Sequence, residues 1–149
     1  MGPVHFTQLA TMPVSPIPAG YRSVTPYLIC RGAAQAIRFY EQAFEARERM
    51  RLAMPDGKIA HAELQIGDAV VMLADEAEAW GALGPQAIGG TPVSILVYVE
   101  DVDQVYQRAL ELGAKVIKPL ANQFYGDRSG HIEDPFGHRW SVATHIEDV

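Results

Sequence analysis

The sequence predicts an α+β fold built from two βαβββ modules. The order strand, helix and three strands occurs twice along the chain. The turn at residues 134–137, Asp-Pro-Phe-Gly, closes the second copy as a β-hairpin. A shift of 69 positions places Gln35 on Gln104, so that both helices occupy the same place in their copies. We therefore expect neither half to bury its sheet face alone, and the two half-sheets to form a concave cleft.

The first module is predicted to cover about residues 22–76. It begins with a strand over residues 23–30, in which Pro26 favours an edge position because proline cannot donate a ladder hydrogen bond. A helix over residues 33–45 follows, because apolar residues recur there at helix spacing along one face. Three further strands are predicted over residues 47–54, 59–66 and 69–74, the last two joined by the two-residue loop Gly67-Asp68.

A long connector over residues 75–91 separates the two modules. Its four glycines and one proline indicate a loop, and loops of this length in a compact domain are usually functional or mobile. Trp80 lies in the connector. Because a loop tryptophan more often packs into the nearest core than contacts a ligand, we predict that Trp80 is buried.

The second module is predicted to cover about residues 92–147. A strand over residues 93–100 precedes a helix that begins at Asp101 or Asp103, either of which can cap it, and ends near Leu112. A strand over residues 115–120, a loop over residues 122–128 and the closing hairpin complete the module.

Composition limits the classes of partner. The formal net charge of −6 and the pI near 5.3 disfavour a nucleic-acid partner, and no run of Lys and Arg suggests a basic patch. No apolar run approaches the roughly 20 residues that a membrane-spanning helix needs. The single cysteine, Cys30, excludes an intrachain disulfide and fits a reducing compartment, so we expect a cytoplasmic protein.

The first 21 residues contain no Lys, Arg, Asp or Glu but four prolines. A secretory signal has a basic start and an unbroken apolar stretch, and this segment has neither. We interpret residues 1–21 as an extended arm and residues 22–149 as a single domain. The sequence leaves open whether the arm is disordered or lies across a partner subunit.

Several separated motifs resemble those of the vicinal-oxygen-chelate superfamily, which includes glyoxalases and bleomycin-resistance proteins. The resembling stretches are Ala-Ile-Arg-Phe-Tyr at residues 36–40, Phe-Glu-Ala at 44–46, Val-Glu-Asp-Val-Asp at 99–103 and Glu-Asp-Pro-Phe-Gly-His at 133–138. Within the superfamily the chain looks most like the PhnB-like subgroup, on the stretches at residues 55–58, 61–64, 125–128 and 138–141. The resemblance implies the glyoxalase/bleomycin-resistance/dihydroxybiphenyl dioxygenase-like fold and a homodimer.

The resemblance also implies where a metal ion would be held. Members with metal chemistry use four side chains, usually His and Glu, and the corresponding positions here are Thr25, Met72, Ser94 and Ser141. Hydroxyls and a thioether cannot replace imidazole and carboxylate as ligands of a divalent ion. We therefore expect no cofactor at the usual site. A divalent ion such as Zn, Ni or Mn at a non-standard site stays open.

Three polar residues share one predicted strand face. Pairing across the Gly67-Asp68 loop places Glu63 opposite Met72, and His61 and Gln65 lie on the same face because side chains alternate along a strand. His61 and Glu63 could act as a general base with its orienting carboxylate, or supply two ligands of a relocated metal. Equally, these residues could lie at the rim, paired with each other or with arginines.

Polar residues near the C-terminus give weaker indications. Arg128, next to Asp127 and near Tyr125, could clamp an anionic or planar substrate, or could form an internal pair with Asp127. Three residues flank the closing turn, and a fourth lies beyond it; these are His131, Glu133, His138 and then His145. Their clustering suggests metal ligands, but we favour hydrogen bonds around the turn or exposure to solvent as their role. Cys30 has no evident base and gives little support for nucleophilic catalysis.

Two functions remain open. The first is a lyase, isomerase or dioxygenase-type enzyme in which His61 and Glu63 are catalytic and Tyr125 and Arg128 hold a small oxygenated substrate. The second is a metal-free protein that binds a small molecule in an aromatic-lined groove; its aromatic residues would be Tyr27, Trp80, Tyr98 and Tyr125. The missing metal ligands favour binding, whereas the polar face of His61 and Glu63 favours catalysis.

Overall fold

The computed structural model describes residues 13–149. Residues 1–12 of the predicted arm lie outside the described residues, and residues 13–21 contain neither helix nor strand. The first module comprises β1 (Tyr27–Cys30), α1 (Ala33–Phe44), β2 (Arg47–Ala53), β3 (Ile59–Ile66) and β4 (Ala69–Asp75). The connector contains a 3₁₀ turn (Glu78–Trp80) and a short helix, α2 (Pro85–Ile88). The second module comprises β5 (Ser94–Tyr98), α3 (Val102–Glu111), β6 (Lys115–Asn122), β7 (Asp127–Glu133) and β8 (Arg139–His145).

The two modules have the same strand order, which confirms the predicted fold class. The first sheet has the order β1-β4-β3-β2 and the second has the order β5-β8-β7-β6. β1 runs parallel to β4, and β5 runs parallel to β8. All other neighbouring strands in the two sheets pair antiparallel. The predicted register of the first hairpin is also correct, because Glu63 pairs with Met72 and Gln65 with Val70.

The connector and several strand bounds differ from their predictions. β6 extends to Asn122, and β7 begins at Asp127, inside the predicted loop over residues 122–128. β1 begins at Tyr27 rather than at residue 23. Pro26 accepts a hydrogen bond from the Met72 N–H at 2.9 Å but has no N–H of its own to extend the ladder. The connector is not a simple loop, since it forms two short helical turns that end at Gly81 and Gly89, both with positive φ.

Each main helix covers one face of its own sheet. The buried face of α1 includes Ile37, Tyr40 and Phe44, and it packs against core residues such as Leu64 and Leu73. Side chains alternate along each strand, so the strand residues between the core residues point to the side of the sheet opposite the helix. We call this side the uncovered face. In the first sheet it carries Tyr27, His61, Glu63 and Met72, and in the second it carries Leu96, Tyr98, Asp127 and Ser141.

The two halves meet through their helices and through the closing turn of the second module. α1 packs against α3, and the rings of Tyr40 and Phe44 lie 5.4 and 4.8 Å from that of Trp140. The buried carboxylate of Asp134 accepts hydrogen bonds from the Tyr40 hydroxyl and the Trp140 indole N–H. His138 Nε2 lies 2.8 Å from the backbone oxygen of Ile29 on β1.

This packing leaves both outer strands and part of each uncovered face accessible, since Tyr27, Leu96 and Tyr98 are exposed although Glu63, Asp127 and Ser141 are buried. Every residue of β2 and β6 is at least partly exposed. Among residues 13–149, no helix is both long enough and apolar enough to cross a membrane. The candidate functional residues therefore lie on open strand faces rather than inside the helical core.

Candidate binding site

A row of hydrogen-bonded side chains crosses the uncovered face of the first sheet. The Tyr27 hydroxyl lies 2.8 Å from His61 Nδ1, and His61 Nε2 lies 2.9 Å from Glu63 Oε2. The other Glu63 oxygen accepts a hydrogen bond from the Tyr21 hydroxyl. These four residues, which we call the polar row, come from the arm, β1 and β3. The structure thus joins the predicted pair His61 and Glu63 to two tyrosines.

Hydrogen bonds within the row favour the ionised form of Glu63. Glu63 is only 6% exposed, and the hydrogen bonds from Tyr21 and then from His61 lower the pKa of its carboxyl. An ionised Glu63 accepts a hydrogen bond from the N–H at His61 Nε2. In a neutral imidazole, Nδ1 then accepts from the Tyr27 hydroxyl. Burial, followed by the nearby charge of Glu63, raises the pKa of Tyr27, so the phenol keeps its hydrogen.

The Tyr21 end of the row is polar and cationic. The Arg49 guanidinium carbon lies 5.0 Å from the centroid of the Tyr21 ring, a cation–π arrangement. Arg49 Nη1 also lies 3.4 Å from Oε1 of Gln65, whose amide nitrogen donates to the Gly67 carbonyl. The predicted polar face of His61, Glu63 and Gln65 is therefore extended by one arginine.

The Tyr27 end of the row borders an apolar cavity of about 350 Å³. Its walls come from β1, β3, β4 and the connector; they include Ile29, Met54, Ile59, Ala74 and Trp80. The predicted burial of Trp80 is wrong, because its side chain is 86% exposed. The 3₁₀ turn directs Trp80 away from the core, and it forms a wall of this cavity instead. Tyr27 therefore belongs both to the cavity and to the polar row.

The second sheet carries a separate cluster on its uncovered face. Asp127 accepts a hydrogen bond from the Tyr98 hydroxyl at 2.8 Å and lies 2.8 Å from His145 Nδ1. His145 Nε2 lies 2.7 Å from Asp148. Hydrogen bonds to Asp148 and Asp127 raise the pKa of His145, and those from His145 and Tyr98 lower the pKa of Asp127. No hydrogen bond in residues 13–149 connects this cluster with the polar row.

The arginine predicted to contact a ligand has other partners. Arg128 makes a two-pronged contact with Asp103, at 2.8 and 3.0 Å, and also donates to Asn122. Its predicted alternative partner, Asp127, is instead paired with His145. Tyr125 is half exposed and packs edge-on against Phe124. We therefore leave Arg128 outside the candidate site.

The residues that flank the closing turn make separate contacts, one of which reaches the other module. His138 is bound to the Ile29 carbonyl, and Glu133 pairs with Arg139 at 3.3 Å. Burial, and then the charge of Lys118, lower the pKa of His131. At Cys30, burial raises the pKa of the thiol far above its usual value, which removes it as a nucleophile.

The four positions that correspond to metal ligands do not fit a metal ion. Met72 lies opposite Tyr27, and Ser141 lies opposite Leu96. Thr25 precedes β1, and Ser94 is the exposed first residue of β5. Two hydroxyls from serine, one from threonine and a thioether are poor ligands for a divalent ion. Within the described part of the chain, no group of three His, Cys, Asp or Glu side chains could hold one.

The predicted aromatic groove is divided between two cavities. Tyr27 and Trp80 line the apolar cavity described above. Tyr98 lines a different cavity of about 670 Å³ between the two halves. Lys58 also lines the apolar cavity. Sequence reasoning missed Tyr21, Arg49 and Lys58. Only Arg49 had a local signal, because a period of two along β2 places it among alternating arginines.

Comparison with known proteins identifies the family. A family model described as glyoxalase/bleomycin resistance protein/dioxygenase superfamily matches residues 22–142. The chain belongs to this superfamily. The uncharacterized protein Rv0887c of Mycobacterium tuberculosis is 42% identical over 152 residues, which cover 100% of this chain and 87% of that protein. The uncharacterized protein Mb0911c of Mycobacterium bovis is 44% identical over 130 residues, which cover 85% of this chain and 86% of that one.

Solved structures with a similar fold confirm the fold. Protein PA1353 from Pseudomonas aeruginosa has a TM-score of 0.71 at 25% identity. The match covers 85% of the present chain and 99% of the PA1353 chain. TioX from Micromonospora sp. ML1 has a TM-score of 0.66 at 26% identity, covering 84% and 99%. A PhnB protein from Bacillus cereus has a TM-score of 0.66 at 18% identity, covering 83% and 99%, which shows the fold alone. The resemblance to the superfamily that the motifs indicate is therefore confirmed.

Proposed function

We propose that this superfamily member binds a small molecule on the uncovered face of its first sheet. The observation that supports the proposal is the position of Tyr27, which both lines the apolar cavity and begins the polar row. Small-molecule sites typically combine apolar walls with a few fixed polar groups, and this face offers both within one stretch of strand. Members of the superfamily bind small molecules, in keeping with this assignment.

The polar row is pre-organised for binding. His61 is held at both ring nitrogens, and Glu63 has both oxygens occupied. Groups that are fixed before the ligand arrives lose little conformational entropy on binding. A ligand that occupies the cavity therefore meets a rigid polar edge at Tyr27.

Nuclear magnetic resonance provides a direct test, because the chain has two tryptophans in different settings. Trp80 is exposed at the cavity, whereas the Trp140 indole N–H is buried and bound to Asp134. We expect members of a fragment library that bind this face to shift the Trp80 indole N–H signal and leave that of Trp140 in place. Replacing Trp80 by phenylalanine identifies its signal. The proposal fails if every fragment that binds shifts only signals of the second module.

A second candidate function is acid/base catalysis, and the arrangement of His61 favours one form of it. Because both ring nitrogens are occupied, His61 cannot take a proton directly from a substrate. The exposed end of the row is Tyr27, a residue that is 47% exposed. A substrate hydroxyl would pass its proton to the Tyr27 oxygen as Tyr27 passes its own to Nδ1, and Glu63 would stabilise the imidazolium that forms. The substrate would be left as the alkoxide or phenolate.

The two candidate functions predict different fates for a fragment that binds. Binding alone leaves the spectrum of the fragment unchanged after prolonged incubation, whereas catalysis produces new signals. If new signals form, Tyr27→Phe should abolish them while the fragment still shifts Trp80. Product formation that survives in Tyr27→Phe would exclude this proton route.

We also propose a homodimer that covers the uncovered faces. Large apolar or aromatic side chains on both faces are about half exposed: Leu52 at 55%, Leu96 at 50% and Tyr98 at 59%. Exposed apolar groups clustered on open sheet faces are typical of interaction surfaces. Members of the superfamily often dimerise, in keeping with this proposal.

A further inference from the structure

We infer that the apolar cavity beside Tyr27 selects a small apolar carboxylate, meaning an aromatic or alicyclic acid bound as its anion. This inference rests on the proposed small-molecule site and adds the chemical class of the ligand.

The walls select an apolar ring. They are formed by aliphatic side chains together with Met54 and Trp80, and the volume of about 350 Å³ lies at the lower end of the range for small-ligand sites. Trp80 and Met54 are 86% and 48% exposed, so both have surface to bury against a ligand. Flat apolar rings pack well against an indole face and a thioether.

The carboxylates at the edge of the cavity are already occupied. Asp75 accepts hydrogen bonds from the backbone N–H groups of Gly32 and Ala33 on one oxygen and of Ile59 on the other. Glu76 accepts from Arg31 and from a backbone N–H of the connector. Each oxygen of the two carboxylates therefore already accepts at least one hydrogen bond, so neither carboxylate offers an unoccupied oxygen for direct contact with a cationic ligand.

Lys58 is the cation at the edge of the same cavity. In residues 13–149, no carboxylate lies within 4.0 Å of its ammonium group, whereas five arginines do form such pairs. An ammonium without a paired anion beside apolar walls is complementary to a ligand that carries a ring and a negative charge. The ring would lie against Trp80 and the carboxylate would contact Lys58.

Three probes of equal ring size test the charge preference. They are 2-naphthoate, 2-naphthylmethanol and 2-naphthylmethylamine, which are anionic, neutral and cationic at neutral pH. Binding of each probe is measured from the shift of the Trp80 indole signal. We expect naphthoate to bind at least about tenfold more tightly than the alcohol, and the amine to have the lowest affinity of the three. Equal or tighter binding of the alcohol or the amine overturns the inference but leaves the small-molecule site standing.

A matched pair of lysine variants tests the source of the preference. Lys58→Met should weaken naphthoate binding about tenfold, to the level of the alcohol, while binding of the alcohol stays unchanged. Lys115→Met, on β6 of the other half, should leave both affinities unchanged. The Trp140 indole signal at its original position shows that each variant is folded. An equal loss in both variants, or no loss in Lys58→Met, overturns the inference.

The two proposals can fail separately. If none of the three probes shifts Trp80, the inference about apolar carboxylates is wrong, and the fragment library decides independently whether the face binds small molecules at all. If naphthoate binds only at signals of the second module, both the inference and the proposed location of the site are wrong.

Discussion

Asp134 shows how one buried carboxylate can join two halves of a domain. It is 3% exposed and accepts hydrogen bonds from Tyr40, Trp140 and the backbone N–H groups of Phe136 and His138. Burial raises the pKa of this carboxyl, and the hydrogen bonds act in the opposite direction. Since Tyr40 lies on α1 and the other partners lie in the second module, the carboxylate fixes the closing turn against the first half.

We expect Asp134→Ala to reduce the free energy of unfolding by roughly 3–5 kcal/mol, because it leaves several buried donors without an acceptor. Urea denaturation followed by Trp140 fluorescence in a Trp80→Phe background measures this loss. Asp56→Ala is the matched control, since Asp56 accepts only one exposed backbone hydrogen bond, from Lys58. A loss in Asp134→Ala no larger than that in Asp56→Ala would show that this network contributes little.

His145 predicts a dependence of stability on pH. Its pKa is raised in the folded protein by Asp148 and Asp127, so the protonated form is favoured by folding. This contribution is fully present below the unfolded pKa of about 6.5 and is lost as the pH rises through the folded value. Denaturation midpoints of the wild type and His145→Gln should therefore differ at pH 6 and converge at alkaline pH. The same difference at both pH values would contradict this assignment.

At the scale of elements, both modules use a side chain from a strand to cap the N-terminus of their main helix. Helix α1 has no capping side chain next to it in sequence; instead Asp75, at the end of β4, accepts from the N–H groups of Gly32 and Ala33. In the second module Thr144, displaced by the same 69 positions, accepts from the N–H of Val102 at the start of α3. The repeat therefore extends to how strands cap helices.

Asp75→Ala should cost roughly 2–3 kcal/mol of unfolding free energy, since three backbone N–H groups lose their acceptor. Asp101→Ala provides the comparison, because Asp101 accepts only the Gln104 N–H at the start of α3 and should cost about 1 kcal/mol. Chemical denaturation of both variants measures the difference. Equal losses would mean that the cap from β4 is no stronger than a local one.

At the scale of the whole molecule, the open faces predict self-association. We expect light scattering to give twice the chain mass of 16.3 kDa. Leu96→Asp, on the uncovered face of the second sheet, should shift the protein toward the monomer because it places a charge in the interface. Ile88→Asp is the control, since Ile88 is exposed on α2, away from both faces. A wild type that is monomeric at high concentration, or equal effects of both variants, would contradict the homodimer.

Much of the fold was predictable because the signals are local. Alternation along β3 and β4 gave the register of Glu63 with Met72, and helix spacing gave α1 to within one residue. The exposure of Trp80 was not predictable. A short 3₁₀ turn decides its direction, and no period marks that turn in the sequence.

The sequence by itself determined the two modules, the order of their elements along the chain and the face that His61 shares with Glu63, because a period of 2 or 3.6 residues is set by backbone geometry. Only the tertiary structure decided which side chains meet across that face. Tyr27 reaches His61 over 34 positions and Tyr21 reaches Glu63 over 42, while Asp75 reaches the start of α1 over 42. Such contacts depend on how strands and arm are packed, and packing between distant segments leaves no periodic signal in a single sequence.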